Sequence, residues 1–529
     1  MAAANRPRPR PAPYPHHLQK IMFRPHVSTS FRQSLFKFGA AWLIAIILSS
    51  SIHAQRPNVL FIAVDDMNDW VGVLDSNIQA KTPNIDRLAA RGLNFTNAHT
   101  SGTYCAPARS AIFTGQFAST TGFYEYQPYH HLRPDLIPLQ SSFAAGGYAT
   151  FGTGKLFNHS EGNVDLRGWT EFYVRTKHQR ETGWPMATWE LGAPLPDQGE
   201  KTTANKGAYT QSGLRKWGAL SNNQEGEMAD TIRTEWAISK LQENHNRPFF
   251  LGLGLYSPHL PNYCPQKYYD LYDRSEIPLP VVPDDDLEDL PEPMRTKMGK
   301  RAKAFHNNYV KSELLRECIH SYLACISFAD AMIGRVLDAL DDSPYADNTI
   351  VVLWSDHGYH YGEKGHFGKK ELWERTSNIP FVWSGPGIPP STTSNIAVSL
   401  IDMYPTFVEM CGLPSPSQML EGTSLASVFE NPAQAESRVA YLPYTEPNAY
   451  AVISEEWRYI KYANDSEELY RVQHDPNEWN NLANQPEYAT VKAKLRAEAP
   501  TTFASPGPQY KRSRDLVFEG ETYRWEPAP

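Results

Sequence analysis

Cysteine is scarce in this sequence, and its scarcity excludes one way of holding a chain together. Only five cysteines occur among 529 residues, which is too few for a disulfide framework. Cys318 and Cys325 lie on one predicted helix, and we expect packed thiols there rather than a bridge. A chain of this length buries a large hydrophobic core easily, so that core has to stabilise the fold.

An excess of positive charge is also missing. The 50 Lys and Arg residues are outnumbered by 58 Asp and Glu residues, and the formal net charge is −8. We therefore expect no nucleic-acid partner, because overall charge gives such binding no support. An apolar run long enough to span a bilayer is missing too, since the run at residues 40–48 is too short.

The first 54 residues predict a signal peptide. Basic, proline-rich residues and Lys37 precede the apolar run, small and polar residues follow it, and a cleavage site fits after Ala54. The alternative is a short membrane anchor, although no cysteine follows the run to support a lipoprotein. Translation from Met22 instead of Met1 would give a signal of ordinary length. We expect a secreted or periplasmic protein with no membrane attachment once the signal is removed.

Continuous apolar runs predict strands that are buried on both faces of a sheet. Helical segments separate these runs, for example residues 229–244 and 313–341, which favours a doubly wound α/β sheet with helices on both faces. We place a catalytic domain at residues 57–434. Short strand patterns after it predict a small antiparallel sheet in a C-terminal subdomain, residues 435–529. The four predicted strands are at residues 58–64, 148–151, 249–255 and 349–354.

Polar side chains follow each of these four strands. A single such residue could simply be a strand end that meets water, but four strand ends share the pattern. Because the carboxyl ends of strands in an open α/β sheet form binding sites, we expect these side chains to converge. They are Asp65 and Asp66, then Lys155, Asn158 and His159, then His259, and finally Asp356 and His357.

A stretch around Cys105 predicts an anion site. Arg109 comes four residues after Cys105, so the two side chains share one face if the segment is helical. Pro107 suits the first turn of such a helix, and a helix N-terminus presents free N–H groups to an anion. Taken alone, the spacing also fits a small buried cysteine and a solvated arginine.

The longer pattern resembles the signature of the type I sulfatases, C-x-P-x-R-x-x-x-x-T-G, which continues here to Thr114 and Gly115. Among them it is most similar to members of the iduronate-2-sulfatase kind. The resemblance implies an alkaline-phosphatase-like fold and hydrolysis of sulfate esters on small molecules or oligosaccharides, such as glycosaminoglycan or algal polysaccharide fragments. It also implies that a formylglycine-generating or sulfatase-maturating enzyme converts Cys105 to formylglycine, whose hydrate is the nucleophile.

The family also implies a calcium ion. Its ligands would be Asp65, Asp66, Asp356 and His357, together with the residue at position 105. Carboxylates suit calcium, whose preferred ligands are hard oxygens, whereas the imidazole of His357 is a weaker choice. We expect Asp356 also to help deprotonate the nucleophile.

The remaining roles follow from the same resemblance. Lys155, Lys369 and Arg109 would stabilise the sulfate oxygens, and His259 would protonate the departing alcohol. A second histidine is expected three residues after Lys155, but Asn158 stands there and His159 follows it. We favour His159 as the base that regenerates the aldehyde, with Asn158 as the alternative.

Lys370 and the residues Asp284, Asp285 and Asp286 are expected to be solvated. Two other functions stay open at this point. One is a phosphonate or phosphate ester hydrolase of the same fold, and the other is a glycan-binding protein without catalysis.

Overall fold

The computed structural model of the protein describes most of the chain after residue 55. The predicted signal peptide, His159 and most of the polar connection at 177–228 lie outside the described residues. The described ranges are 56–74, 76–158, 164–173, 217–311, 313–508, 514–519 and 522–527.

An eight-stranded mixed sheet forms the centre of the fold. All four strands expected from the sequence belong to it, and neighbouring pairs among them are parallel. Phe381–Ser384 is antiparallel to both of its neighbours. In spatial order the strands are Thr392–Ser394, Gly92–Phe95, Phe381–Ser384, Thr349–Ser355, Asn58–Val64, Phe249–Gly254, Ala149–Gly154 and Glu171–Tyr173.

Helices cover both faces of this sheet, because alternate residues of a strand point to opposite sides. Every residue of Asn58–Val64 is buried. Leu60 and Ile62 belong to one hydrophobic cluster, and Val59 and Phe61 belong to another. The fold class expected from the sequence is therefore confirmed. The first cluster contains the helices Pro83–Ala90, Ala229–Gln242 and Leu315–Asp341, and the second contains Cys105–Thr114, Leu139–Ala145 and Met403–Met410.

Shorter elements complete this part of the chain. The other α-helices of the described ranges are Ala118–Thr121, Tyr129–Leu132, Gln266–Tyr269, Met294–Phe305, Glu374–Ser377, Ala426–Glu430 and Ala489–Ala497. Single turns of 3₁₀ or π-helix lie at Gly72–Leu74, Asn222–Glu227, His306–Val310, Ala346–Asn348, Glu363–Gly365, Leu400–Asp402, Pro432–Gln434 and Pro486–Tyr488. Two-stranded pairs are Ala98–His99 with Val398–Ser399, Trp217–Leu220 with Asn262–Pro265, His360–Tyr361 with Phe367–Gly368, and Arg514–Glu519 with Thr522–Pro527.

A four-stranded antiparallel sheet follows the main sheet and confirms the small C-terminal sheet that the sequence predicts. Its strands are Ala440–Pro443, Tyr450–Ile453, Arg458–Lys461 and Glu467–Tyr470. Arg458 is fully buried and donates hydrogen bonds to the carbonyl oxygen of Leu372 and to Ser377 Oγ, both at 2.8 Å. The division at residues 434 and 435 stays a prediction.

Two polar residues differ from the expectation that they are solvated. Asp286 is buried, and its carboxylate lies 2.6 Å from the ammonium of Lys364. Lys370 is half-buried, with its ammonium 4.1 Å from the centre of the Tyr104 ring. In each case the side chain contacts a residue that is distant in sequence. Such a contact cannot be predicted from one segment of the sequence alone.

The five cysteines are all free and buried, as expected for packed thiols. Within the described ranges, none of the helices combines the length and the apolar character needed to cross a membrane.

Candidate active site

Cys105 is the first residue of the helix Cys105–Thr114, and every residue of that helix is buried. Tyr104 before it is extended, which turns the chain into the helix. The helix ends at Gly115, whose left-handed backbone (φ 69°) suits glycine, and its N–H donates to the carbonyl of Ala111 at 2.8 Å. The predicted helix is confirmed, and it holds Cys105 beneath the carboxyl ends of the strands.

Four predicted site residues surround the Cys105 sulfur. The nearest atoms are Lys369 Nζ at 3.1 Å and His357 Nε2 at 3.2 Å. Asp65 Oδ1 follows at 3.5 Å and Lys155 Nζ at 3.6 Å. Three strand ends and the loop after Phe367–Gly368 therefore supply side chains to one atom.

Arg109 lies one helical turn beyond Cys105 and binds the carboxylates. Its Nε donates to Asp356 Oδ2 at 2.8 Å, and its guanidinium lies 3.4 Å from Asp65 Oδ1. It also donates to the carbonyl oxygen of Lys155 and lies over the ring of Trp354, 5.5 Å from its centre. In the structure this arginine therefore orients two acidic residues from below the site.

Asp66 has a second set of basic neighbours. Lys369 Nζ lies 2.5 Å from Asp66 Oδ1, and His259 Nε2 lies 3.7 Å from Asp66 Oδ2. Lys155 forms the corresponding ion pair with Asp65 and lies over the ring of Tyr256. The adjacent carboxylates thus face different lysines, which Asp66 achieves with a left-handed backbone, φ 61°.

Burial shapes the acidity of these groups. It raises the pKa of Asp66 to about 7, against the pull of Lys369, and the pKa of Asp356 to about 6, against that of Arg109. Burial acts on Asp65 in the same direction, but the cations around it, Lys155 foremost, hold its pKa well below the usual range. Asp65 and Asp356 also contribute to the raised pKa of Asp66, because the carboxylates repel one another. A divalent cation bound between them would reduce this repulsion.

His357 presents an imidazole lone pair to this cluster. Its Nδ1 lies 3.0 Å from the carbonyl oxygen of Gly358, so we assign the proton to Nδ1. Its Nε2 lies 3.4 Å from Asp66 Oδ1 and 3.5 Å from Asp356 Oδ2. Burial holds its pKa well below the usual value, so the ring is neutral and Nε2 is a competent metal ligand.

The donor atoms fit a divalent cation. One group comprises Asp65, Cys105, Asp356 and His357, and a second shares Asp65 and Cys105 and adds Asp66 and His259. Within each group the donor atoms lie within 4.8 Å of one another. Three carboxylates in so small a space suit calcium or magnesium, whose preferred ligands are hard oxygens.

The second expected histidine is not placed. His159 lies outside the described residues. Asn158 is buried beside the helix that begins at Cys105 and lines a small cavity with Ala106 and Arg109. Its Nδ2 has no hydrogen-bond partner among the described residues. The choice between His159 and Asn158 stays a prediction.

One residue that holds the His259 segment in place was not predicted from the sequence. Asp230, on the helix Ala229–Gln242, accepts hydrogen bonds from the backbone N–H groups of Tyr256 at 2.9 Å and Ser257 at 2.8 Å. These bonds fix the segment that carries His259. The sequence around Asp230 does not indicate this role, because the residues that it binds come after the strand Phe249–Gly254.

The family is decided by a match over most of the chain. The family model described as sulfatase matches residues 57–413. The chain belongs to the sulfatase family. It is accordingly a sulfuric ester hydrolase. A second family model, the C-terminal region of N-sulphoglucosamine sulphohydrolase, matches residues 362–502 of this sulfatase and so covers the small antiparallel sheet.

Similar proteins support the assignment. A sulfatase of Formosa agariphila is 37% identical over 86% of this chain and 88% of its own length. Human iduronate 2-sulfatase is 26% identical over 72% of this chain and 75% of its own length.

Solved structures show the same fold. The phosphonate monoester hydrolase of Agrobacterium radiobacter superposes with a TM-score of 0.67 and 21% identity, over 84% of this chain and 96% of the other. A second solved structure shows a protein in complex with its substrate, D-glucosamine-2-N,6-O-disulfate. It superposes with a TM-score of 0.62 and 23% identity, over 84% of this chain and 96% of the other.

Proposed function

We propose that this sulfatase hydrolyses sulfate esters of carbohydrates with a nucleophile made from Cys105 and with calcium at Asp65, Asp66, Asp356 and His357. The observation that carries the proposal is the position of Cys105. Its side chain lies at a helix N-terminus, within 3.6 Å of two lysine ammonium groups and within 3.5 Å of a carboxylate. A sulfate ester brought to that atom meets positive charge on two sides.

The unmodified thiol is a poor nucleophile here. Burial raises the pKa of Cys105 to about 12, and Asp65 adds to the rise. At neutral pH the side chain is therefore protonated, whereas reactive cysteines act as thiolates. This supports conversion of Cys105 to formylglycine by a maturation enzyme, a step that replaces sulfur with an oxygen nucleophile.

The chain's own residues then divide the work. Calcium, when bound by the four ligands, supplies charge that polarises the sulfate oxygens. Lys155 and Lys369 hold the sulfate, and Asp356 accepts a proton from the nucleophile. His259 Nδ1 lies 2.5 Å from the carbonyl oxygen of Leu260, which leaves Nε2 facing Asp66 and the site. From there His259 donates a proton to the departing alcohol.

A carbohydrate substrate is supported by the names of two similar proteins. Iduronate 2-sulfatase acts on a sulfated sugar acid, and the bound substrate of the structural relative is a sulfated glucosamine. The predicted signal peptide supports action outside the cytoplasm, where polymeric carbohydrates are met. Residues 1–54 still attached to protein from the cytosol of the native host would contradict export.

The test is sulfate release by protein made in a host with a cysteine-type maturation system. Wild type is expected to release sulfate from an aryl sulfate and from members of a panel of sulfated mono- and oligosaccharides. Cys105→Ser should bind substrate yet lose essentially all turnover, since serine offers one hydroxyl of high pKa. Cys411→Ser is the matched control, because Cys411 is also a free, buried thiol but is not among the clustered donor groups of the site, so turnover should stay in place.

Phosphonate ester hydrolysis is the second candidate, favoured by the structural likeness to a phosphonate monoester hydrolase. Comparing turnover of an aryl sulfate and an aryl phosphonate decides between the two. Non-catalytic glycan binding would leave both substrates intact. We favour sulfate because the matching family is the sulfatases.

A further inference from the structure

Among the described residues, the side chains of the active centre differ in their exposure to solvent. The side chains of Asp65, Asp356 and His357 are fully buried. Lys369 and His259, by contrast, keep 17% and 11% of their side-chain surface exposed. A substrate therefore enters past Lys369 and His259, and the residues next to these two meet the part of the substrate that remains after cleavage.

Lys370 lies at this opening. It follows Lys369, whose ammonium is 3.1 Å from the Cys105 sulfur. The N–H of Lys370 donates to the carbonyl oxygen of Thr103 at 3.0 Å, which ties it to the segment that leads into Cys105. Its backbone is left-handed, φ 74°, an uncommon conformation for lysine that the surrounding structure has to hold.

Two tyrosines support the Lys370 side chain. Its ammonium lies 4.1 Å from the centre of the Tyr104 ring and 5.7 Å from that of Tyr126. The two rings pack edge to face, 5.2 Å apart.

Tyr126 also faces the solvent. It is 46% exposed and is the one aromatic among the exposed large apolar side chains of the described ranges. Exposed aromatic rings beside a polar site provide a flat surface for the apolar face of a ligand ring. Tyr126 thus offers such a surface beside the opening.

The charge of Lys370 has no ionic partner in the described part of the chain. Its ammonium group contacts the two tyrosine rings. Burial lowers its pKa, and the carboxylate of Glu125 acts in the opposite direction without forming an ion pair with it. The lysines at 155 and 369 differ, because each is paired with an aspartate. The Lys370 ammonium, which contacts only aromatic rings among the described residues, can therefore bind an anion at the opening.

We propose that Lys370, supported by Tyr104 and Tyr126, binds a second anionic group of the substrate beside the sulfate ester that is cleaved. The inference rests on the proposed function and names a substrate class. That class is a sugar that carries a carboxylate or a second sulfate as well as the scissile sulfate ester. Tyr126 packs against the ring of that sugar.

The test compares kcat/KM for three substrates: a monosulfated neutral hexose, the same hexose with a second sulfate, and a monosulfated uronic acid. Wild type should prefer at least one of the doubly charged sugars. Lys370→Met keeps the length of the side chain but removes its charge. It should reduce that preference about tenfold, mainly through KM, because the free energy of a hydrogen bond to a charged group corresponds to a factor of about this size. Lys370→Arg should retain most of the preference.

The matched control is Lys494→Met, which removes an exposed charge from the helix Ala489–Ala497 and should leave the preference as in wild type. Lys370→Gln serves if the methionine variant does not fold. Loss confined to the uronic acid identifies a carboxylate as the ligand, and loss confined to the disulfated sugar identifies a second sulfate. An unchanged preference in Lys370→Met, or in Lys370→Gln where the methionine variant does not fold, overturns the inference. A wild type that cleaves no sulfate ester overturns the proposed function instead.

Discussion

Single residues at the active centre carry opposing charges that burial makes costly. Asp65, Asp66 and Asp356 face Arg109, Lys155 and Lys369 with almost no access to water, as the ion pairs around Cys105 show. Removing one member therefore leaves its partner uncompensated. The sequence predicts which residues converge, because each follows a strand. It does not predict that Arg109 binds two of the carboxylates, since that contact depends on how the helix is placed.

Asp356→Asn tests the metal site at this scale. The change removes one negative ligand and should weaken calcium binding by at least about tenfold, because ligand charge sets the affinity of such sites. Isothermal titration of metal-depleted protein measures the affinity. The control Asp342→Asn removes an exposed carboxylate from the end of the long helix and should bind calcium as wild type does. Equal affinity in Asp356→Asn and wild type would show that Asp356 is not a ligand.

Among the secondary-structure elements, the helix Pro83–Ala90 shows why caps are hard to predict. The helix begins after Thr82, a residue type that often caps helices, but that side chain makes no capping bond. Asp330, from the helix Leu315–Asp341, accepts the N–H of Ile85 at 2.8 Å and that of Asn84 at 3.1 Å. The cap comes from 246 residues away along the chain, so no local pattern reveals it.

The pH dependence of this cap has a definite sign. Burial raises the pKa of Asp330 from 3.8 to about 6, although the N–H groups that it accepts act in the opposite direction. A raised folded-state pKa favours folding below about pH 4, and that contribution is lost as the pH rises through about 6. The free energy of unfolding of wild type, relative to Asp330→Asn, should fall between these values by up to ~3 kcal/mol.

Urea unfolding of both proteins between pH 4 and pH 7 measures this difference. The asparagine keeps an oxygen that accepts the same N–H groups, so the comparison isolates the charge. A relative stability of wild type that increases with pH would mean that the hydrogen bonds outweigh burial.

The sheets show the same limit of prediction. Four long apolar runs predict their strands because a strand buried on both faces needs an unbroken apolar sequence. Phe381–Ser384 and Gly92–Phe95 are too short for such a pattern, and the antiparallel direction of Phe381–Ser384 depends on its neighbours. The class of fold was therefore predictable, and the positions of these two short strands in the sheet were not.

For the whole molecule, a buried ionic network joins the small antiparallel sheet to the rest of the fold. Arg458, on a strand of that sheet, pairs with Glu374 and with Glu478, the latter at 2.6 Å. The network also includes Lys364 and Asp286. The sequence does not reveal this network, because its members lie far apart along the chain.

Arg458→Met should destabilise the protein by ~3–5 kcal/mol, since it leaves the buried carboxylate of Glu478 and the partly buried carboxylate of Glu374 without this partner. Burial raises the pKa of Glu478 to about 7, so protonation of that carboxylate should bring the loss toward the lower value. Thermal and urea unfolding measure the effect. Arg496→Met is the control, because Arg496 is 55% exposed and its pair with Glu467 is loose. Equal stability of both variants would refute a structural role for the network.

The central claim is that hydrolysis depends on conversion of Cys105, and one measurement tests it directly. Preparations with different degrees of maturation are digested, and the mass of the peptide that contains Cys105 is compared with sulfate release by the same preparation. Conversion to the free aldehyde lowers the peptide mass by about 18 units, a change outside the usual oxidation ladder of cysteine. The account predicts that sulfate release is proportional to the converted fraction. Sulfate release by a preparation in which Cys105 is entirely unmodified would contradict it.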